Sequence, residues 1–241
     1  MSKVNITYRR LTEVEANHLG LAVKPKESQG NARYRLYPDQ IEDIMKFRAT
    51  EEENYKPRVM IYDIETSRVT AKVWGTGKTY VTHKQLRSET TIISISWKWF
   101  GEDKIHALKW DKNHCDKEMI EKFLIEYNSA DMLVGQNNDR FDNKLIHARA
   151  AKHKLYVNVH MKSFDLIKQT RRLFKLQSYS MDYVTKFLGV THKQSHEGIH
   201  MWDMIEDGTY EEQAEYLQKM VDYNVGDIVA TEAMYIRLRK Y

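Results

Sequence analysis

Between Arg58 and Trp110 three short runs rich in β-branched and aromatic residues follow one another, and beyond them helical periods alternate with short apolar stretches. That succession constrains the fold more than any other feature of the chain. Arg58–Glu65 is nearly continuous and apolar through Val59, Met60, Ile61 and Ile64. Thr91–Trp99 and Ile105–Trp110 repeat the pattern, so an antiparallel meander is predicted. Asp116–Tyr127 then reads as an amphipathic helix with Met119, Ile120, Phe123, Leu124 and Tyr127 on one side. A buried strand over Met132–Val134, a helix over Asp142–Lys154 and a strand over Met161–Leu166 come next. Helices follow over Leu166–Arg172, over Met181–Leu188 with Ser180 as N-cap, and over Glu211–Arg239 in one or two pieces. A meander followed by alternating elements implies an α/β fold: a mixed sheet with helices on both faces.

Upstream lies a different pattern. Glu51-Glu52-Glu53-Asn54-Tyr55-Lys56-Pro57 is charged and ends in proline, which suggests a boundary between residues 1–56 and 57–241. Residues 1–56 read as a small helical module. A helix over Asp39–Arg48 follows Tyr37-Pro38, with Ile41, Ile44, Met45 and Arg48 at helical spacing. Leu11–Leu21 reads as one or two short helices, and Lys24-Pro25-Lys26 and Gln29-Gly30-Asn31 as loop. The module bears a vague likeness to helix-turn-helix and winged-helix units, in which Lys24, Lys26, Arg33 and Arg35 would touch phosphates. A plain helical cap would look the same.

Composition bounds the function classes. Of 241 residues, 41% are AVILMFWYC, enough for a core, and Cys115 is the single cysteine, which excludes a disulfide within the chain and any cysteine-built zinc site. One cysteine, no apolar run of membrane-spanning length and a polar, basic Met1–Leu11 lead to the expectation of a cytoplasmic protein. A net charge of +4 is weak support for a polyanionic partner and decides nothing alone.

The chemistry resides in carboxylates. Asp63-Ile64-Glu65-Thr66 ends the first strand, and a period of two puts Asp63 and Glu65 on the same side. Two acids side by side on an apolar strand raise each other's pKa, a conflict that a hard divalent cation removes. A strand end fraying into water would carry the same two acids at no cost. Gly135-Gln136-Asn137-Asn138-Asp139-Arg140-Phe141-Asp142 joins a buried strand to a helix, with Asp142 placed as a natural N-cap. Tyr223-Asn224-Val225-Gly226-Asp227 puts Tyr223 and Asp227 four apart, hence on one helical face. Each segment alone has an ordinary structural reading.

Together, Asp-x-Glu on a first strand, Asn-x-x-x-Phe-Asp before a helix and Tyr-x-x-x-Asp on a late helix resemble the DEDDy 3′–5′ exonucleases of the ribonuclease-H-like superfamily. These include the proofreading domains of family B DNA polymerases and stand-alone phage-type members. The resemblance runs from about Pro57 to Tyr241. It takes in Ser163-Phe164-Asp165-Leu166, the stretch Leu173–Leu188 with Ser178-Tyr179-Ser180, and Gly189 and Lys193. Val73-Trp74-Gly75 through Ser96-Trp97-Lys98-Trp99 is similar to the phage-type members, so a bacterial or phage-encoded protein is expected. The remaining chain has no room for a polymerase palm. The resemblance implies Asp63, Glu65, Asp142 and Asp227 as ligands of two Mg²⁺ or Mn²⁺ ions, with Tyr223 orienting the attacking water. A phenol, with a pKa of about 10, is a poor base at neutral pH. It adds Thr66, Asn137, Phe141 and Lys193 as substrate contacts. The implied activity is release of nucleoside 5′-monophosphates from 3′ ends of DNA, preferably single-stranded, with a separate replication or repair protein as partner. RNA 3′-trimming, a non-catalytic nucleic-acid-binding regulator and a structure-selective endonuclease are the alternatives.

Several features look like decoys. His106–Asp111 and His160–Asp165 have the spacing of a sister subclass but lie on predicted strands and in the wrong order. Asp116-Lys117-Glu118 repeats Asp-x-Glu but opens a helix read as a surface one, where acids suit the dipole. Gly75-Thr76-Gly77-Lys78-Thr79 lacks the spacing of a phosphate-binding loop. It reads as a turn in the insertion between the first two strands, in a position to touch nucleic acid. His192, His196 and His200 are spaced for a metal, but Gly198 interrupts them and Gln194–Trp202 reads as loop. Arg171, Arg172, Lys175, Lys186 and Lys193 interleave with Phe174, Tyr179 and Tyr183. That pattern suits a single strand, and equally a solvated helix face over a core stripe.

Overall fold

The structure is a computed structural model that describes residues 7–23, 32–54, 56–190 and 198–241. The chain divides into two compact units, Met1–Lys56 and Pro57–Tyr241.

In the first unit, β1 (Thr7–Leu11) pairs antiparallel with β2 (Ala32–Leu36), and α1 (Glu13–His18) and α2 (Pro38–Asn54) complete it. The helical expectation missed both strands. Ala32, Tyr34 and Leu36 alternate inward with Arg33 and Arg35 outward, a period-two signal too short to stand out in five residues. Thr12 and Glu15 form a capping box on α1, and Glu15 is buried against Arg48 of α2 at 2.6 Å. Desolvation pushes the Glu15 carboxyl up, but the Arg48 guanidinium and the Thr12 cap outweigh it and hold it below its ordinary value. Lys24, Lys26 and the Gln29–Asn31 turn lie outside the described residues.

In the second unit, β3 (Val59–Thr66) leads into a small arm. The arm contains β4 (Thr70–Ala71), a 3-10 turn (His83–Gln85) and β5 (Leu86–Ser88). Then come β6 (Ile92–Trp99), β7 (His106–Lys109), α3 (Lys117–Tyr127), β8 (Met132–Gly135), α4 (Asp142–His153) and β9 (Lys162–Asp165). The chain closes with α5 (Leu166–Leu173), α6 (Met181–Leu188), α7 (Ile199–Asp207) and α8 (Tyr210–Leu238). The five-stranded sheet has the order β7-β6-β3-β8-β9. Strands β7, β6 and β3 are antiparallel, whereas β3, β8 and β9 are parallel, giving the mixed α/β sheet expected. No described helix is long and apolar enough to cross a membrane.

The two faces of β3 explain where the site forms. Met60, Tyr62 and Ile64 join Phe123 and Leu124 of α3 and Ile146 and Ala150 of α4 in one core cluster. Val59 and Ile61 join Val184 of α6 and Ile228 and Met234 of α8 in another. By strand parity Asp63 and Glu65 belong to the second face, the one covered by α8. Helix α8 runs unbroken through Gly226, one element rather than two.

Two further expectations are corrected. Ile199–Trp202, read as loop, belongs to α7, whose Met201 and Ile205 are buried against Met220 and Tyr223 of α8. A nine-residue helix interrupted upstream by glycine gives little periodic signal. Asp116 is fully buried rather than on a surface helix face. It sits at the N-cap position of α3 without capping it, because its carboxylate turns inward. There it takes both arms of Arg149 at 2.6 Å, His153 at 2.7 Å and the Ile92 amide at 3.1 Å.

Candidate metal centre

Asp63 and Glu65 lie on β3 directly across from Ser96 and Ser94 of β6. Helix α8 packs over this pair of strands. Three carboxylates meet here: one oxygen each from Asp63, Glu65 and Asp227 lie within 4.8 Å of one another, with Asp227 buried and the other two half-buried. Such a cluster of hard oxygen donors repels itself unless a cation or proton intervenes.

The bed beneath it is polar. Asn224 is fully buried one turn before Ile228 on α8, and its Nδ2 donates to Asp63 Oδ2 at 2.6 Å. Its own Oδ1, with Ser94 Oγ, Ser96 Oγ and Thr231 Oγ1, is buried without a hydrogen-bond partner. Orphaned buried oxygens are costly, and they mark a seam built for polar occupants rather than for packing. The set therefore fits a divalent cation. At the far end of the seam Lys98 of β6 pairs with Glu232 of α8 at 2.5 Å.

Asp142 comes from the other side of β3. It is the first residue of α4, and Phe141 holds the N-cap position, one residue earlier than the cap read from the sequence. Its carboxylate is buried, and the backbone amides of Asp142 itself and of Ile64 hydrogen-bond to it. Burial raises this carboxyl to about 7, the nearby Asp165 adds to the rise, and the two amides oppose it. The contact with Ile64 sets Asp142 beside the backbone between Asp63 and Glu65, although its oxygens are not part of the three-carboxylate group.

The turn leading to Asp142 is held tightly. Asn137 adopts a left-handed backbone at φ 63, a conformation asparagine tolerates. A Cβ on Gly135 would lie 2.8 Å from Asn138 Cβ and 3.2 Å from the Tyr62 carbonyl oxygen, so glycine is needed for this close approach. Asn138 is fully buried and donates to Ser163 Oγ at 3.0 Å. Asn143 Oδ1 accepts from the hydroxyls of Tyr62 at 2.6 Å and Tyr127 at 3.0 Å, fixing the first turn of α4 to the sheet and to α3.

Tyr223 is buried one turn before Asp227 and packs with Ile93, Trp110, Met201 and Ile205. Thr66 is half-buried at the end of β3, and its carbonyl accepts from Trp202 Nε1 at 2.8 Å. Phe141 is 46% exposed, enough of the ring to meet a ligand. Asn137 lines a basic cavity of about 490 Å³ with Arg140, Ile167, Lys168 and Arg171. Lys193, His192 and His196 lie outside the described residues; His200, in α7, reaches the Tyr216 hydroxyl at 3.2 Å. Of the basic and aromatic residues before the third motif, Phe174 and Tyr183 pack against the core and Arg171 lies over the Tyr179 ring at 5.0 Å. Asp165 caps α5 by accepting from the Lys168 amide, and His106 stacks on Trp97. Asn224, Asn138 and Asn143 escaped the sequence reading; their position inside the motifs was the one signal available.

A family model described as RNase_H superfamily matches residues 82–239, about two thirds of the chain. The chain belongs to the RNase H superfamily. The matched segment takes in Asp142, Tyr223 and Asp227 and begins after Asp63 and Glu65. Among solved structures, the family B DNA polymerase from the hyperthermophilic archaeon Pyrobaculum calidifontis is similar. It superimposes with a TM-score of 0.56 at 15% identity over 77% of this chain and 25% of that one. The likeness concerns the fold, and this chain spans about a quarter of that polymerase's length. No curated protein sequence matches.

Proposed function

We propose that this RNase H superfamily member is a metal-dependent 3′–5′ exonuclease that hydrolyses phosphodiester bonds of DNA, preferably at single-stranded ends, and releases nucleoside 5′-monophosphates. The observation that carries the reading is the meeting of Asp63, Glu65 and Asp227 within 4.8 Å over a polar bed, with the buried Asp142 beside Ile64. In this reading Asp63, Glu65, Asp142 and Asp227 hold two Mg²⁺ or Mn²⁺ ions. When bound, such a pair activates water and stabilises the leaving oxygen of an in-line displacement.

The chain's own residues do the rest. The Asn224 amide fixes which oxygen of Asp63 faces the centre. Tyr223, one turn before Asp227, orients the attacking water. Phe141 offers its ring to the terminal base, and Thr66 lies beside Glu65 to touch the terminal nucleotide. Arg140 and Arg171, with Asn137, provide a basic recess for backbone phosphates, beside Lys168, whose charge is paired with Asp139.

The test is degradation of end-labelled oligonucleotides with Mg²⁺ or Mn²⁺. Stepwise loss of mononucleotides from the 3′ end, prevented by a 3′ block, is expected, with DNA consumed faster than matched RNA. Cutting of a circular single strand, or intact ends with either metal, would overturn the proposal.

A further inference from the structure

The arm between β3 and β6 is unlike the rest of the surface. Trp74 is 104% exposed and Tyr80 88%, the most exposed large hydrophobic side chains among the described residues. Between Glu65 and Glu89 the sequence has no aspartate or glutamate, while Lys72, Lys78, Lys84 and Arg87 are all exposed there. The arm thus has two fully solvated rings set among cations and no carboxylate of its own to neutralise them.

Its root is built to hold still. Strands β4 and β5 pair antiparallel, and the Lys72 amide donates to the Gln85 carbonyl at 3.0 Å. The Gln85 side chain accepts from the amide and hydroxyl of Thr82 at 2.9 Å and donates back to the Lys72 carbonyl at 3.3 Å. Below that, Ser67 and Thr91 exchange two hydrogen bonds, at 2.8 and 2.9 Å. Arg68 is bound by Glu206 at 2.8 Å and Asp203 at 2.7 Å, so this cation anchors the root rather than a ligand. The root follows directly on Glu65-Thr66, and Trp74 is nine residues beyond Glu65, a reach of at most ~30 Å.

We infer that the arm over residues 69–88 is a binding element for single-stranded nucleic acid, with Trp74 and Tyr80 stacking on unpaired bases while Lys72, Lys78, Lys84 and Arg87 neutralise phosphates. Exposing a large ring forfeits burial that a folded chain ordinarily gains. A face of unpaired bases returns it, and stacking is indifferent to sequence. Val73 and Val81 are exposed beside the two rings, and Gly75, Thr76, Gly77, Lys78 and Thr79 lie between the rings in sequence, so glycines, hydroxyls and a cation interrupt the apolar residues of the arm. The uncompensated positive charge selects a polyanion. The inference rests on the exonuclease reading for its biological sense, because an arm rooted at the metal-binding strand would hold the strand whose end is being removed.

The test uses the full chain, its Trp74→Ala/Tyr80→Ala double variant and its Lys78→Glu/Lys84→Glu double variant. All these positions are exposed and none belongs to the carboxylate centre. Binding of an oligothymidylate of roughly 20 nucleotides, longer than the ~4–16 nucleotides such surfaces cover, is measured by fluorescence anisotropy in Ca²⁺. Hydrolysis of the p-nitrophenyl ester of thymidine 5′-monophosphate, too small to reach the arm, is measured in Mn²⁺. The ring variant is expected to bind the oligomer about tenfold or more weakly, and the charge variant to show a shallower salt dependence. Both should cleave the ester as the unaltered protein does. Oligomer affinity within about twofold of the unaltered protein in both variants would overturn the inference, as would stronger binding to duplex than to single strand. An unaltered protein that binds the oligomer but cleaves neither substrate would remove the exonuclease reading and leave the arm's role standing.

Discussion

Replacing Asn224 by alanine separates a residue that orients a metal ligand from one that supports the fold. The side chain makes one short hydrogen bond, from Nδ2 to Asp63 Oδ2 at 2.6 Å, and keeps a buried oxygen that finds no partner. A hydrogen bond to an ionised group is worth about 1.5–3 kcal/mol, and an unsatisfied buried polar atom costs about 1–3 kcal/mol. Alanine deletes both, so the two nearly cancel and the melting temperature should move by only a few degrees. The proposed metal centre has no such compensation. Asp63 loses a hydrogen bond that orients its carboxylate, and loss of a partner that orients a metal ligand costs about 10–100-fold in affinity or activity. Mn²⁺ binding, followed by electron paramagnetic resonance or calorimetry at neutral pH, should weaken by that factor while circular dichroism and the melting curve stay close to those of the unaltered protein. Mn²⁺ affinity within about twofold of the unaltered protein would refute the reasoning. A loss of stability of about 4 kcal/mol or more would instead make Asn224 a structural residue.

Asp142→Ala should abolish phosphodiester cleavage with the helical signal preserved, whereas Tyr223→Phe should slow cleavage less; normal rates in Asp142→Ala would break the site assignment. Asp116→Ala strands Arg149 in the interior and should destabilise the second unit by about 3–5 kcal/mol, readable as a fall in denaturation midpoint. Burial alone would raise the Asp116 carboxyl, but Arg149, the Ile92 amide and His153 outweigh it and hold it below the ordinary value. With the folded pKa depressed, its stabilisation is present above the unfolded carboxylate value of about 3.9 and is lost as pH falls through the folded one. The stability of Asp116→Asn, read as a denaturant midpoint at each pH, should therefore fall less steeply with acidification in that range than that of the unaltered protein. Gly135→Ala should cost about 1–3 kcal/mol, because its new methyl must displace Asn138 or the Tyr62 carbonyl. Cleavage should slow with it, since the same turn delivers Asp142; an unchanged melting point would contradict the close approach.

What was legible in the sequence divides along a physical line. Apolar runs and periodicity are local, and a strand buried on both faces or a helix buried on one leaves such a trace: β3, β6, α3 and α6 lie within a residue or two of their expected bounds. The Asp63–Glu65 pair was legible for the same reason, since strand parity puts both on one side. Burial by a distant element leaves no local trace. Asp116 looks like any acid opening a helix, and Arg149, 33 residues later in the chain, makes it a buried ion pair. Helix α7 is hidden because its apolar residues gain their meaning only against α8.

The same line runs through the candidate metal centre. Asp63 and Asn224 are 161 residues apart, and the amide between Tyr223 and Val225 has no spacing rule that would single it out. It matters because β6 opposes α8 with Ser94 and Ser96 instead of apolar side chains, so a helix that would otherwise seal a core closes over polar oxygens. That arrangement gives up packing energy at the middle of the sheet, where an apolar seam would stabilise the fold more. A chain shaped only for stability would fill the seam with valine and leucine. Its make-up of hydroxyl, amide and carboxylate, aligned along one face of α8 at 224, 227 and 231, is the strongest physical argument that the space between α8 and β3 can hold an ion.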